Sequence, residues 1–142
     1  MSGIEIKNLT RVFGDVKAVD NVSFSVPEKT FTVLLGPSGC GKSTLLRMLC
    51  GLESATSGQV FIGGKDVTSL EAARRGVSMV FQSYALFPHL DVKENIQFGL
   101  KVRRVPKAER AEKTQAAAEI VGLSGLLDRK PANLSGGQRQ RV

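Results

Sequence analysis

An α/β fold is predicted for this chain, with an antiparallel β layer and a helical subdomain, on three observations. A continuous apolar run at residues 30–35 enters a glycine-rich loop at 36–44 and then an apolar helical stretch, the order expected of a strand buried on both faces, a tight loop and a helix. Short segments of alternating polarity, bracketed by turn residues, flank this unit. From about residue 85 the apolar spacing becomes helical.

Taken in order, residues 4–12 and 22–26 read as strands parted by Gly14 and Asp15, and 59–62 as a third strand closed by Gly63 and Gly64. Together they suggest an antiparallel layer. After the loop, Leu45, Leu46, Met48, Leu49 and Leu52 give a helix with a buried face that stops near Gly51. Residues 77–81 read as a second short buried strand. Asp91, followed three residues later by Glu94, has the form of a capping box opening a helix with Val92, Ile96 and Leu100, whose last turn Gly99 weakens. A linker at 101–105 follows. Pro106 suits a first helical position, Ala108, Ala111, Ala118 and Val121 recur at helical spacing, and Gly122 is a stop signal. The sequence shows no internal repeat. It divides into an α/β core part at 1–84 and a helical subdomain at 85–142.

With 142 residues, 42% of them apolar, the chain is long enough for one cored domain with a subdivision. The opening residues lack a basic stretch followed by an apolar core, and the longest aliphatic run is far below membrane-spanning length, so a cytosolic protein is expected. Cys40 and Cys50 have no metal-ligand spacing and read as reduced thiols. The net charge of +7 is local: residues 1–100 carry ten basic and nine acidic side chains, residues 101–142 ten basic and four acidic. Lys101, Arg103, Arg104, Lys107, Arg110 and Lys113 fall on a helical stretch and read as a solvated face, with a polyanion-binding surface as the alternative. No nucleic-acid partner is expected.

Two motifs carry chemistry. Gly36, Pro37, Ser38, Gly39, Cys40, Gly41, Lys42, Ser43 and Thr44 form GPSGCGKST, a GxxxxGK[ST] loop whose glycines let the backbone curl until several amides point at one centre. Lys42 then reaches the β and γ phosphates as a point charge, the following helix adds its positive end, and the Ser43 hydroxyl can ligate magnesium. Mg-ATP or Mg-GTP binding is implied. The second motif is LSGGQ, in which Ser135 is a good helix N-cap and the amides of Gly136 and Gly137 begin a helix free of side chains, which reads either as a second anion site or simply as a capped helix start.

With Phe13, the phosphate loop, Gln82 within MVFQSYALFPHL, and LSGGQRQRV in this order, the chain resembles the nucleotide-binding subunit of an ATP-binding cassette transporter over its whole length. DVKENIQFGLKVRRVPKAER is similar to the importer branch that serves sugars, glycerol phosphate or polyamines. The resemblance implies a P-loop NTPase core, ATP and Mg2+ as ligands, and a transport-coupled ATPase peripheral to the cytoplasmic face of the membrane. It further implies that Phe13 stacks on adenine, that Lys42 and Gln82 serve catalysis, and that Ser43 and Gln82 meet magnesium. Ser135, Gly136, Gly137 and Gln138 would face the γ phosphate of a second nucleotide-binding subunit in a head-to-tail dimer, and residues 84–90 would lie toward the permease subunits; within them His89, a lone histidine, reads on its own as a packing or capping group.

In the family, LSGGQRQRV is followed by an apolar strand ending in a magnesium-binding aspartate, a general-base glutamate, an aspartate loop, a switch histidine and, in this branch, a further β domain. None of these is in the 142 residues, so they are expected to bind nucleotide without appreciable turnover. The core is accordingly expected to be incomplete, with an apolar edge beside the phosphate-loop strand. Two alternatives stay open on the residues: a soluble cassette ATPase acting on DNA or ribosomes, and a non-hydrolysing nucleotide-binding module.

Overall fold

Alternating apolar residues and two tight turns produce the first feature of the computed structural model, which describes residues 3–81 and 83–142. Strands β1 (Ile4–Phe13), β2 (Val16–Val26), β3 (Ser57–Ile62) and β4 (Lys65–Asp66) form one sheet in the order β2-β1-β3-β4, with every pair antiparallel. Gly14 and Asp15 close the β1–β2 hairpin, where Phe13 pairs with Val16. Gly63 and Gly64, at φ of 59° and 75°, close β3–β4 with the primed turn that matches strand twist.

Strand β2 begins six residues earlier than its alternation indicated. Asp20 and Asn21 break the polarity pattern, and the β1–β2 register shifts there, but side chains replace the missing ladder bonds. Asn8 donates its Nδ2–H to Asn21 Oδ1 at 2.9 Å, Ser23 Oγ accepts from the Asn8 amide at 2.7 Å, and Thr10 Oγ1 accepts from the Asn21 amide at 3.0 Å. Polar side chains thus carry the strand across an irregularity that hydrophobic periodicity reads as a gap.

Helix α1 (Lys42–Leu49) lays Leu45, Met48 and Leu49 against Ile6, Leu9, Val19, Val60 and Val67 of the sheet and its connection. Each such side chain, fully buried, contributes about 1.5–3 kcal/mol. The helix ends at a Schellman turn: Gly51, at φ 74°, donates to Met48 O at 3.2 Å and Leu52 donates to Arg47 O at 2.9 Å. Leu52 is therefore past the helix and 42% exposed, a correction to its assignment to the buried face.

Two strand expectations are also corrected. Residues 30–35 and 77–81 are not strands, and Phe31 is 94% and Val80 95% exposed. A strand needs a hydrogen-bonded neighbour and a layer over each face; the apolar run has the composition of a buried strand, but no described strand pairs with it.

The chain divides into two compact units, Met1–Met79 and Val80–Val142. In the second, α2 (Val92–Val102), α3 (Lys107–Ile120) and α4 (Gly136–Arg141) surround a core of Val92, Ala118, Leu123 and Leu134. The Asp91–Glu94 capping box is formed, with Asp91 Oδ1 accepting the Glu94 amide at 2.6 Å and Glu94 Oε2 accepting the Asp91 amide at 3.2 Å. Helix α2 runs to Val102, into the expected linker, despite Gly99. Pro106 is the N-cap of α3, one residue before its first helical position. At its other end, Gly122 donates to Glu119 O at 3.1 Å and Leu123 to Ala118 O at 2.8 Å, a second Schellman turn.

The buried stripe of α3 is Thr114 and Ala118, whereas Ala108 and Ala111 are exposed. Thr114 can be buried because its hydroxyl donates to Arg110 O at 2.7 Å, leaving only its methyl for the core. No helix among the described residues is long and apolar enough to cross a membrane.

Candidate functional site: a glycine loop and a capped signature helix

The glycine loop turns residues 36–41 into the N-terminus of α1. Gly41 is the N-cap at φ 89°, a left-handed conformation that side chains disfavour. A Cβ there would also collide with the carbonyl oxygen of Ala18 on β2. Glycine at this position thus lets the loop lie directly on the sheet, a reason beyond the curl that the motif itself implies.

The first backbone bond of α1 is Leu45 N–H to Gly41 O at 2.8 Å, and no side chain caps the helix start. The amides of Lys42, Ser43 and Thr44 come before that bond and are left for an external acceptor. Lys42 folds back over the loop, donating from Nζ to Gly36 O at 2.8 Å and Pro37 O at 2.7 Å, with Cys40 Sγ at 3.4 Å. A positive charge is therefore held within the curl of the loop by two carbonyls, both exchangeable for stronger anionic acceptors. Residues 36–40 and Ser43 are exposed, and Thr44 is half-buried. Beside the loop lies a cavity of about 490 Å³ bordered by Cys40, Gly41, Lys42, Ala18 and Phe24, within the size range of small-ligand pockets.

Phe13 ends β1 and is 44% exposed, so it is not a core residue. The Arg11 guanidinium covers one ring face at 4.5 Å from the centroid and is itself held by Glu53 at 2.7 Å and Ser54 Oγ at 3.1 Å. Phe13 pairs with Val16, two residues before the Ala18 that touches Gly41, about 7 Å along the strand. Ring and loop thus belong to the same end of the hairpin.

The signature is built in the second unit. Ser135 Oγ accepts from the Gln138 amide at 3.2 Å, and Gln138 Oε1 accepts from the Ser135 amide at 2.8 Å, a capping box whose S-x-x-Q spacing is legible in the sequence, although the motif reading above it rested on the serine alone. Leu134, 5% exposed, anchors the turn, and Arg141 ties α4 to α3 through Val121 O at 2.8 Å. Gly136 and Gly137 are exposed, lie in the helix, and have nothing within 4 Å of an added Cβ among the described residues. Among the described residues, neither backbone conformation nor packing calls for glycine at these positions.

Gln82 lies outside the described residues. After it, Tyr84 and Ala85 both have positive φ, 65° and 52°, and Asn95 fastens the segment at 87–91: it accepts from the Phe87 amide at 2.8 Å and donates to Phe87 O, Leu90 O and Asp91 O at 3.2, 3.2 and 2.8 Å. Sequence reasoning misses this residue, because an asparagine inside a helix gives no signal of a partner loop. His89 is exposed and meets Phe87 edge-on at 6.1 Å.

The sequence profile described as ABC transporter matches residues 19–142. The chain belongs to the ABC transporter family. It is 51% identical, over its full length, to the maltose/maltodextrin import ATP-binding protein MalK of Mannheimia succiniciproducens, and 54% identical to an sn-glycerol-3-phosphate import ATP-binding protein UgpC of Agrobacterium fabrum, covering 38% of each. It is also 50% identical over 96% of its length to the Fe(3+) ions import ATP-binding protein FbpC of Pasteurella multocida, covering 39% of that protein. The chain thus spans well under half the length of the curated relatives it matches. Among solved structures, the dimeric bacterial ABC transporter cassette MJ0796 superposes with a TM-score of 0.86 at 31% identity over 97% of this chain and 66% of that one. A dimeric post-hydrolysis state of the same cassette with ADP and Pi gives 0.84 at 30% identity over the same shares. The fold of this ABC transporter family member is α/β and matches part of an ATP-binding cassette, a truncated P-loop NTPase core.

Proposed function

We propose that the loop at 36–44 binds the triphosphate of ATP, and that the chain is the nucleotide-binding part of an ATPase subunit powering solute import at the cytoplasmic face of a membrane. The observation that carries this reading is the Lys42 ammonium clasped over a helix start that no side chain caps. Phosphate oxygens would take the place of Gly36 O and Pro37 O at Nζ, and the free amides of the first turn would complete the cradle. The half-exposed Phe13 ring, one face covered by Arg11, offers its other face to adenine.

Magnesium suits the donors present. Among the described residues no group of three His, Cys, Asp or Glu side chains could hold a metal ion, but the Ser43 hydroxyl stands exposed at the start of α1. Magnesium bound to nucleotide needs only one or two protein ligands, since phosphates and water supply the others. Ser43 and Gln82 would be those ligands, Gln82 on the family resemblance alone. The metal would supply charge neutralisation between the phosphates.

Gly136 and Gly137, with nothing packed where a Cβ would stand among the described residues, support a role for the signature toward a second copy, as do the dimeric cassettes to which the fold is similar. In a head-to-tail pair each subunit would supply Lys42 to one nucleotide and Ser135, Gly136, Gly137 and Gln138 to the other. The import function rests on the relatives' names, which span sugar, glycerol phosphate and iron at nearly equal identity. Permease subunits would be the partners, with residues 84–90 presented by Asn95 toward them.

Calorimetry of Mg-ATP binding to the full-length protein and its Lys42→Ala variant tests the reading. Two or three charge-assisted bonds at about 1.5 kcal/mol each amount to roughly a hundredfold or more in Kd. An unchanged Kd in Lys42→Ala would remove the loop from the nucleotide site.

A further inference from the structure

The helix that carries Lys42 is held at its far end by an arginine that neither motif includes. Arg75 is 7% exposed, and its guanidinium is spent on four backbone carbonyls. Nη1 donates to Met48 O at 2.7 Å and Leu49 O at 3.2 Å, Nη2 to Thr68 O at 2.9 Å, and Nε to Leu70 O at 2.8 Å. Met48 and Leu49 form the last turn of α1, where the helix presents its negative end and, of these two carbonyls, Met48 O also takes the Gly51 amide of the Schellman turn. Thr68 and Leu70 lie on the connection after β4. One side chain therefore joins the end of the loop-bearing helix to a segment about twenty residues further along the chain.

The surroundings are fitted to that side chain. A Cβ on Gly51 would lie 2.6 Å from Arg75 Nε, so the glycine that ends α1 also leaves room for the arginine. Among the described residues no carboxylate forms an ion pair with Arg75. Burial pushes its pKa down, and the nearby Cys50 opposes this in part. A buried cation held by carbonyls alone is an expensive way to fill a core position, and its planar five-donor fork is what lets it satisfy two chain segments at once.

Helix α1 has eight residues, about 12 Å at 1.5 Å per residue, so its two ends are close enough for one to constrain the other. Gly41 seated on Ala18 fixes its start, and Arg75 fixes its end. We propose that Arg75 is a positioning residue for the nucleotide: by clamping the last turn of α1 to residues 68–70, it holds the Lys42 ammonium and the first-turn amides in the geometry that receives the phosphates. This rests on the reading of the loop as the ATP site.

The test uses the full-length protein with Arg75→Met, which keeps the apolar stem and removes every donor, and Arg75→Lys, which keeps the charge without the fork. Leu123→Ala, in the core of the other unit and 0% exposed, serves as a control that lowers thermal stability without touching α1. Mg-ATP Kd is expected to rise about tenfold in Arg75→Met, or ~1.4 kcal/mol, and by an intermediate factor in Arg75→Lys, while Leu123→Ala stays within about twofold. In steady-state hydrolysis KM rises with Kd, and kcat at saturating ATP stays within about twofold. Should Arg75→Met fail to fold, Arg75→Lys decides by the same comparison. An Arg75 variant that binds ATP as wild type does, or no worse than Leu123→Ala at equal loss of thermal stability, overturns the proposal. If Lys42→Ala abolishes binding and the Arg75 variants do not weaken it, only this inference fails; if Lys42→Ala binds normally, it falls together with the loop reading.

Discussion

The chain contains two glycine-bearing helix starts, and they are finished in opposite ways. At α1 the N-cap is a left-handed glycine, no side chain reaches the first amides, and a lysine is held over the gap. At α4 the N-cap is a serine locked with Gln138 into a reciprocal box. A helix start with free amides and an adjacent cation is unfinished until an anion arrives. One already satisfied by its own side chains needs no anion to complete it and can add only the amides of Gly136 and Gly137. Under the proposed function, the difference would separate a site that grips a ligand by itself from a surface that completes a site elsewhere.

The largest expected effect breaks the first of these. Gly41→Ala would drive a methyl into the Ala18 carbonyl and force a side chain to hold φ 89°. Overpacking costs about 1–3 kcal/mol and the left-handed backbone about 1–2 more. Urea denaturation should show a loss of about 2–5 kcal/mol, with Mg-ATP binding abolished in whatever remains folded. A variant that keeps wild-type stability and affinity would show that the loop does not need its contact with β2.

Much of this contrast was legible in the sequence. The GxxxxGK[ST] spacing implies amides turned to one point, and SGGQ implies a capped helix start, because both properties are local. Partners distant in sequence were not legible. Arg75 is held by Met48 O, 27 residues away, and nothing about an isolated arginine predicts that; the Ala18 carbonyl beneath Gly41 is equally silent. Residues 30–35 misled for a related reason. Apolar composition specifies what a strand would bury, whereas strand formation needs a neighbour that no described element supplies. Strand β2 erred the other way, since Asn8, Thr10 and Ser23 repair a ladder that periodicity reads as broken.

A smaller effect separates cap from grip. Ser135→Ala removes one half of the box on α4, a change that costs about 1 kcal/mol at an N-cap. Thermal unfolding should register that loss, while Mg-ATP affinity of the monomer stays at the wild-type value, because the loop at 36–44 is untouched. Loss of monomer affinity in Ser135→Ala would place the signature inside the same subunit's nucleotide site and dissolve the distinction between the two helix starts.

The smallest effect on stability should be the most informative about partnership, because it has the opposite sign. Gly137 sits within α4, exposed, with open space where a Cβ would go. Alanine there should stabilise the helix by about 0.5–1 kcal/mol, the ordinary propensity difference. If the chain served only itself, Gly137→Ala would be a neutral or beneficial change. If the bare backbone is kept for phosphates held by another copy, the variant should unfold slightly later, bind Mg-ATP as a monomer without change, and lose ATP-dependent dimer formation by size-exclusion chromatography, since a methyl would stand where the second subunit's nucleotide must approach. Stabilisation together with unimpaired dimerisation would leave the glycine without a function and return α4 to an ordinary capped helix.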